Sequence, residues 1–348
     1  MKKIIALVIT LILCTVLFAC AKKPKDGIVV SFGDTGIDEQ YYISEATGYK
    51  NHTLYYFGLD ADSTTLWDMV LEEETGKTFS DEVKRLALEE CASVAWVVEW
   101  AKDNGITLTE EDKKLVEEEI ASLKEAVGGT DEKFLEYINK VGFKTLEDIK
   151  KYGEINRLYT KGIEKLTEKG GKYEITDADV DKYFDENYIA IKRIYINTVA
   201  EMDESTGQYV AISEEKLASQ LERVEAYEQG LKDGDNFDLL YALSDDAMQA
   251  SYLNGITITR GDAPSIDYEN ACFELKVGEW KKIEIENQGV FFIKRVEIPE
   301  EGYERKSEIK GLIQGEIQTK IYEEYKDEFL VDEEFIKNLD IKTLKVIN

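Results

Sequence analysis

The chain is 348 residues long and carries 72 Asp and Glu against 43 Lys and Arg, a formal charge of −29, with a single histidine, His52. So acidic a chain excludes a nucleic-acid binder, because affinity for phosphates comes from Lys and Arg releasing condensed counterions, and it suits a body that stays dispersed in solution. There is no Cys/His cluster with zinc spacing, and acidic runs such as Glu72-Glu73-Glu74 lack the Asp-x-Asp-x-Asp-Gly order of a calcium loop.

The first residues read as an address. Met1-Lys2-Lys3 is a short positive region, and Ile4 to Phe18 is an apolar run without a charge, shorter than the ~20 residues a spanning helix needs. Leu17-Phe18-Ala19-Cys20 closes the run and resembles a bacterial lipobox. That resemblance implies cleavage before Cys20 and a lipid on its thiol. Residues 1–19 are then a signal peptide and 20–27 a tether, in which Lys22, Lys23 and Lys25 can assist the lipid at ~1 kcal/mol per charge. Removing Lys2 and Lys3 takes the charge to −31. Of the remaining cysteines, Cys91 and Cys272 lie far apart in apolar surroundings and read as two buried thiols rather than a bridge.

Ile28 to Phe32 reads as a strand followed by a turn at Gly33-Asp34-Thr35-Gly36. Ser80 with Asp81 and Glu82 reads as the start of a helix whose Leu88, Cys91, Ala95 and Val98 recur at helical spacing, ending at Asn104-Gly105. Thr109 to Asp112 resembles a capping box before the stripe Val116, Ile120, Leu123, Val127, which Gly128-Gly129 ends. Further helices are expected near 131–140 and 145–167, and Thr176-x-x-Asp179 caps another carrying Val180, Tyr183 and Phe184. From Tyr188 the period changes to two, with Ile189, Ile191 and Arg193 on one face. A long helix about 213–232, a shorter one at 236–243, a loop, a short helix near 267–274 and two strands, 280–285 and 290–296, follow. After Pro299, Ile309, Ile313, Ile317, Ile321 and Tyr325 repeat every four residues. That stripe is too long for a small α/β domain alone, so it is expected to fold back onto the first helices.

These segments resemble the PrsA and SurA group of extracytoplasmic foldases, in which a helical chaperone domain is interrupted by a parvulin-type peptidyl-prolyl isomerase domain. Asn104 to Glu111 is similar to the family's step between long helices. Tyr188 to Thr198 resembles the first parvulin strand, Gly234-Asp235-Asn236-Phe237 the start of its second helix, Leu243 to Asp246 its Ser-Asp loop, Tyr268 to Glu279 its third helix, and Gly289 to Val296 its closing strand. The resemblance implies an α+β fold. It places a helical domain over 28–188, a parvulin-like domain over 189–298, and a C-terminal helical segment, 299–348, packing on the first domain. It also implies where a site would lie. The family's two histidines fall on Arg193, or on Ile194 if the register slips by one, and on Phe291. Its cysteine-or-aspartate falls on Asp246, and the peptide-binding wall on Tyr268, Ala263 and Ile258.

The chemistry weighs against inheriting the activity. Turning an X-Pro bond crosses a barrier of ~18–20 kcal/mol set by amide resonance, and a catalyst must hold the twisted amide better than the planar one. Phe291 cannot donate or accept a side-chain hydrogen bond, and Arg193 brings a fixed charge. A pair between Arg193 and Asp246 would close the site. The leading expectation is a lipid-anchored, extracytoplasmic chaperone that binds exported, incompletely folded polypeptides, with weak or absent isomerase activity and no cofactor. The rivals are an active isomerase with an altered site, and a surface adhesion or solute-binding lipoprotein. The last needs a closed pocket, of which the sequence has no Gly-rich or aromatic signature. His52 lies outside the parvulin-like segment and reads as a surface or packing residue.

Overall fold

The structure, a computed structural model, describes residues 23–60, 63–202, 207–263 and 265–346. The leader and Cys20 lie outside the described residues. The described chain forms two compact units, residues 23–174 with 312–346, and residues 175–311.

The first unit opens with an antiparallel hairpin, β1 (Ile28–Phe32) and β2 (Thr35–Asp38), followed by α1 (Glu39–Tyr56), a short hairpin of β3 (Val70–Glu72) and β4 (Lys77–Thr78), and four helices, α2 (Phe79–Asp103), α3 (Glu110–Ala126), α4 (Asp131–Lys140) and α5 (Leu146–Thr167). The cap of α2 lies two residues before the expected Ser80. Thr78 is the cap: its hydroxyl accepts from the Asp81 N–H, and the Asp81 carboxylate accepts from the Thr78 N–H. The same reciprocal box starts α3 at Thr109 and Asp112 and α5 at Thr145 and Asp148, satisfying donors that a helix start otherwise leaves unpaired. The middle of α2 is buried on every side from Cys91 to Val98, because α1, α5 and the hairpin all pack on it. Helix α5 passes closely where it has no side chain. A Cβ at Gly162 would stand 2.6 Å from Val97, and one at Gly153 would stand 2.7 Å from Val116.

The second unit contains α6 (Asp177–Asn187), β5 (Tyr188–Ile196), the small pair β6 (Ala200–Met202) and β7 (Tyr209–Ala211), α7 (Glu214–Asp233), α8 (Phe237–Tyr241), β8 (Ile256–Thr259), α9 (Ile266–Glu274), β9 (Trp280–Ile285) and β10 (Gly289–Val296). Its sheet is antiparallel throughout, in the order β8-β5-β10-β9. Strand β8 falls where the sequence reads as loop. Four residues, alternating Ile and Thr, are too short a run to show a period, and they become a strand by pairing with Tyr188–Ile191. The helix ending at Asn187 belongs to this unit rather than to the helices before it. Its Phe184 stacks on Tyr188 with centroids 5.0 Å apart and packs on Tyr303 at 5.2 Å, and Asp181 pairs with Lys306 at 2.6 Å.

The chain then enters α10 (Lys306–Tyr325), β11 (Leu330–Val331) and α11 (Glu333–Asn338). From Leu312 it is part of the first unit. β11 joins the free edge of β1, pairing Val331 with Val30. Lys172 holds the end of α10. Its ammonium bonds Glu324 at 2.7 Å and the Tyr325 hydroxyl, and it stands 4.6 to 5.3 Å from the rings of Tyr325, Tyr173 and Trp96. Burial opposes this charge, but the bonds to Glu324 and the tyrosines outweigh it and raise the Lys172 pKa. The described residues thus form an α+β fold, and no helix among them is long and apolar enough to cross a membrane.

Between α1, α2 and α5 lies a half-buried acid pair. Glu45 accepts from the Tyr152 hydroxyl at 3.0 Å, and Glu90 accepts from the Tyr49 hydroxyl at 2.8 Å. Tyr41 and the buried Cys91 complete the surroundings, and no cation is among the groups acting on Glu45. Burial, then the Glu90 charge, push the Glu45 carboxyl up to about 8. A folded-state pKa above the ordinary carboxyl value means that the folded protein holds a proton the unfolded chain releases. The resulting stability is complete below about pH 4.5 and is lost as pH rises towards 8. Thermal melts should show the first unit's transition falling across that window, and Glu45→Gln should flatten the fall. An unchanged slope in the variant would exclude Glu45 as its source.

Candidate functional site

β5 lies inside the sheet, and its alternate residues serve two separate cores. Ile194 and Ile196 pack with Val290 and Phe292 against Val224, Leu231, Phe237 and Tyr241 of α7 and α8. Ile189 and Ile191 face the other way, with Ile258, Tyr268, Cys272, Phe291 and Ile293. The register pairs Arg193 with Ile293 and Ile194 with Phe292. Arg193, not Ile194, therefore lies on the face that carries Tyr268 and Phe291, and Ile194 is wholly buried in the opposite core.

The structure brings the residues singled out from the sequence together on this face. Arg193 Nε donates to Asp246 Oδ2 at 2.6 Å. The Asp246 loop is fixed in turn: its other oxygen accepts from the Met248 N–H at 3.0 Å, its own N–H donates to Ser244 Oγ, and that oxygen accepts from the Tyr195 N–H at 2.9 Å. Phe291 is enclosed by aromatic rings, stacked on Tyr195 at 5.0 Å and met edge-on by Tyr268 at 5.4 Å. Ile258 is buried in the same cluster, and Ala263 packs on it.

The electrostatics describe a closed ion pair rather than a poised catalytic group. Burial opposes the Arg193 charge, but the bond to Asp246 and the nearby Tyr268 outweigh it and raise its pKa. The Tyr268 hydroxyl is buried and makes no hydrogen bond of good geometry. Burial raises its pKa, and the adjacent guanidinium offsets only part of the rise. Beneath it the Cys272 thiol is free, and burial pushes it up to about 12, so it carries no thiolate at neutral pH. Cys91 is likewise free and buried in the first unit. Among the described residues no cluster of acids, cysteines and histidine could hold a metal ion.

Several contributors escape a reading of the sequence. Tyr195 enters only through packing, while Ser244 and Cys272, read as a loop residue and a buried thiol, are brought to the site by the fold. Arg295 lies two residues past Ile293 on the same strand face. Its Nε is buried without a partner, and burial lowers its pKa.

No family model matches the chain, and no curated protein does either. Solved structures similar to it include the peptidylprolyl isomerase PrsA from Bacillus cereus, at 19% identity over 79% of this chain and 93% of that one, with a TM-score of 0.29. PrsA from Bacillus subtilis follows at 17% identity over 75% and 84%, with a TM-score of 0.24. A third is from a study of the SurA-like chaperones PEB4 and Cj1289 of Campylobacter jejuni, at 16% identity over 75% and 96%, with a TM-score of 0.18. These are the kinds of protein that the motifs resemble. What this site can do rests on its own residues.

Asp246→Ala leaves Arg193 half-buried and without its partner, and should cost about 1–3 kcal/mol. The double variant Arg193→Met/Asp246→Ala should recover part of that loss. Urea denaturation of the four proteins in the cycle measures the coupling, and strictly additive single effects would show that the pair contributes nothing.

Proposed function

We propose that the protein is an extracytoplasmic, lipid-anchored chaperone that binds incompletely folded polypeptides, and that its parvulin-like unit has little or no isomerase activity. The closure of Arg193 on Asp246 carries the second part. Where the resemblance calls for two histidines around a polar centre, one position holds a guanidinium already bonded to a carboxylate, and the other holds a ring packed between two rings. An amide carbonyl would meet a guanidinium whose Nε and charge are already engaged by Asp246, which leaves a weaker field for holding the twisted amide.

The first part is supported by a groove within the first unit. Val116, Ile120, Leu123, Ile149 and Tyr152 form apolar walls between α3 and α5, with Glu119, Asn156 and Arg157 at the polar positions, around a volume of about 270 Å³. That space and its apolar walls can take one or two apolar side chains of a polypeptide. The lipid anchor rests on the sequence around Cys20, and the extracytoplasmic address on the leader before it.

The rival reading, an isomerase with an altered site, has one observation in its favour. The Tyr268 hydroxyl, buried beside Arg193, is a donor that a substrate carbonyl could use if this face opened. A proline-containing tetrapeptide separates the two. The expected rate is that of the uncatalysed reaction, and a substantial acceleration abolished by Tyr268→Phe would establish the rival. In parallel, the protein in excess should suppress aggregation of an unfolded client. Ile120→Glu puts a charge into the groove beside the Phe134 and Ile149 core, so it should lower the melting temperature somewhat and, assayed well below that melt, weaken suppression several-fold. Cys20→Ser should move the protein from the membrane fraction to the soluble one, and a variant that stays with the membrane would end the lipoprotein reading.

A further inference from the structure

The most exposed apolar surface of the first unit is neither the groove nor the strand face described above. It lies where α1 ends and the β3–β4 hairpin begins. Tyr55 is 86% exposed, Tyr56 65%, Met69 56% and Val70 52%. Large apolar side chains are common singly on a protein surface, but several together mark a contact surface. Here they are joined. The Tyr56 ring meets Phe57 edge-on at 5.2 Å, and Phe57 meets Phe79 at 5.6 Å. The Phe79 N–H bonds the Met69 carbonyl at 3.2 Å, which ties the end of the helix to the hairpin. The platform is anchored from below. Trp67 is fully buried, its indole N–H bonds the Ser63 carbonyl at 2.9 Å, and Lys342 pairs with Asp68 at 2.6 Å. The exposed rings therefore stand on a fixed base.

The charge around this surface points to the kind of partner. Asp60, Glu73 and Glu74 are exposed beside it and make no ion pair among the described residues. Of the nearby cations, Lys77 is held between Glu72 at 3.4 Å and Glu82 at 2.5 Å, Lys342 is paired with Asp68, and Lys50 bonds the Lys342 and Leu344 carbonyls beside the Trp67 ring. The rim thus presents uncompensated negative charge around aromatic, Tyr- and Met-containing contacts of the type enriched at interfaces. A second copy of the chain would bring acid against acid, and an anionic lipid surface would be repelled in the same way. We propose that this surface docks a cationic amphipathic segment of another polypeptide, one whose aromatic or aliphatic residues are flanked by Lys or Arg. The proposal rests on reading the protein as a polypeptide binder, and it adds a second, charge-selective contact distinct from the groove.

The test uses the whole mature protein and two labelled model peptides, one alternating Leu with Lys and the other alternating Leu with Glu. The Lys peptide should bind, the Glu peptide should bind at least tenfold more weakly, and 0.5 M salt should weaken the Lys complex several-fold. Tyr55→Ser/Tyr56→Ser/Met69→Ser should lower affinity for the Lys peptide at least tenfold with an unchanged melting temperature, since these side chains are mostly in water. Ile120→Glu should leave that affinity unchanged. The proposal is overturned if the parent fails to bind the Lys peptide or binds both peptides equally, or if the triple variant binds like the parent. Capture of phosphatidylcholine vesicles in place of the peptide, or a dimer that the triple substitution dissolves, would also overturn it. Loss of aggregation suppression with peptide binding intact would count against the chaperone reading alone.

Discussion

The ladder between β5 and β10 is the constraint on which the second unit depends. It runs from Ala190 opposite Val296 to Ile196 opposite Val290, and each step of one residue transfers a side chain from one core to the other. Ile194 and Phe292 close one core, while Arg193, Phe291 and Ile293 meet the other. A slip by one would bury a guanidinium among the side chains of α7 and α8 and expose an isoleucine in its place. The site's composition therefore follows from register, and register is held by both cores at once.

Arg193 and Phe291 each have partners on this face. Phe291 gains two ring contacts, and Arg193 gains a carboxylate on a loop that Ser244 ties to the same strand. The face is thus held by ring packing and an ion pair. The first unit has the opposite character. Its core is completed by residues from both ends of the chain, through β11 on β1 and through Lys172 among Trp96, Tyr173 and Tyr325, yet it leaves an apolar groove and a ring-rich surface in contact with water.

The two surfaces differ in what they can select. The groove between α3 and α5 is mostly apolar, and its Arg157 is already paired with Asp112. It selects for size and apolarity. The α1–hairpin surface has the exposed acids Asp60, Glu73 and Glu74 beside it, and under the proposed docking it selects for charge. A binder of many sequences gains from contacts of both kinds, because neither alone demands a particular sequence.

Much of this was legible in the chain itself. Thr with Asp three residues later marks the helix starts at Thr109, Thr145 and Thr176, because the side chains that cap a helix are local to it, and the same pair at Thr78 and Asp81 sets a cap two residues before the expected Ser80. The change of period at Tyr188 marks the strand, and the fourfold repeat of Ile317, Ile321 and Tyr325 marks a helix needing a partner. The lone histidine and the identities at 193, 246 and 291 already raised the question of activity. Local rules could not reveal β8, which is a strand only because β5 lies beside it, or assign α6 to the second unit, which Phe184 decides by stacking on Tyr188 and Tyr303. Nor could they choose between Arg193 and Ile194, join the rings of Tyr56, Phe57 and Phe79 to the hairpin, or set Glu45 beside Glu90. Sequence determines which residues can cap, alternate and bury. Only the fold decides which distant residues share a face, because that depends on a register and a packing made by segments far apart in the chain.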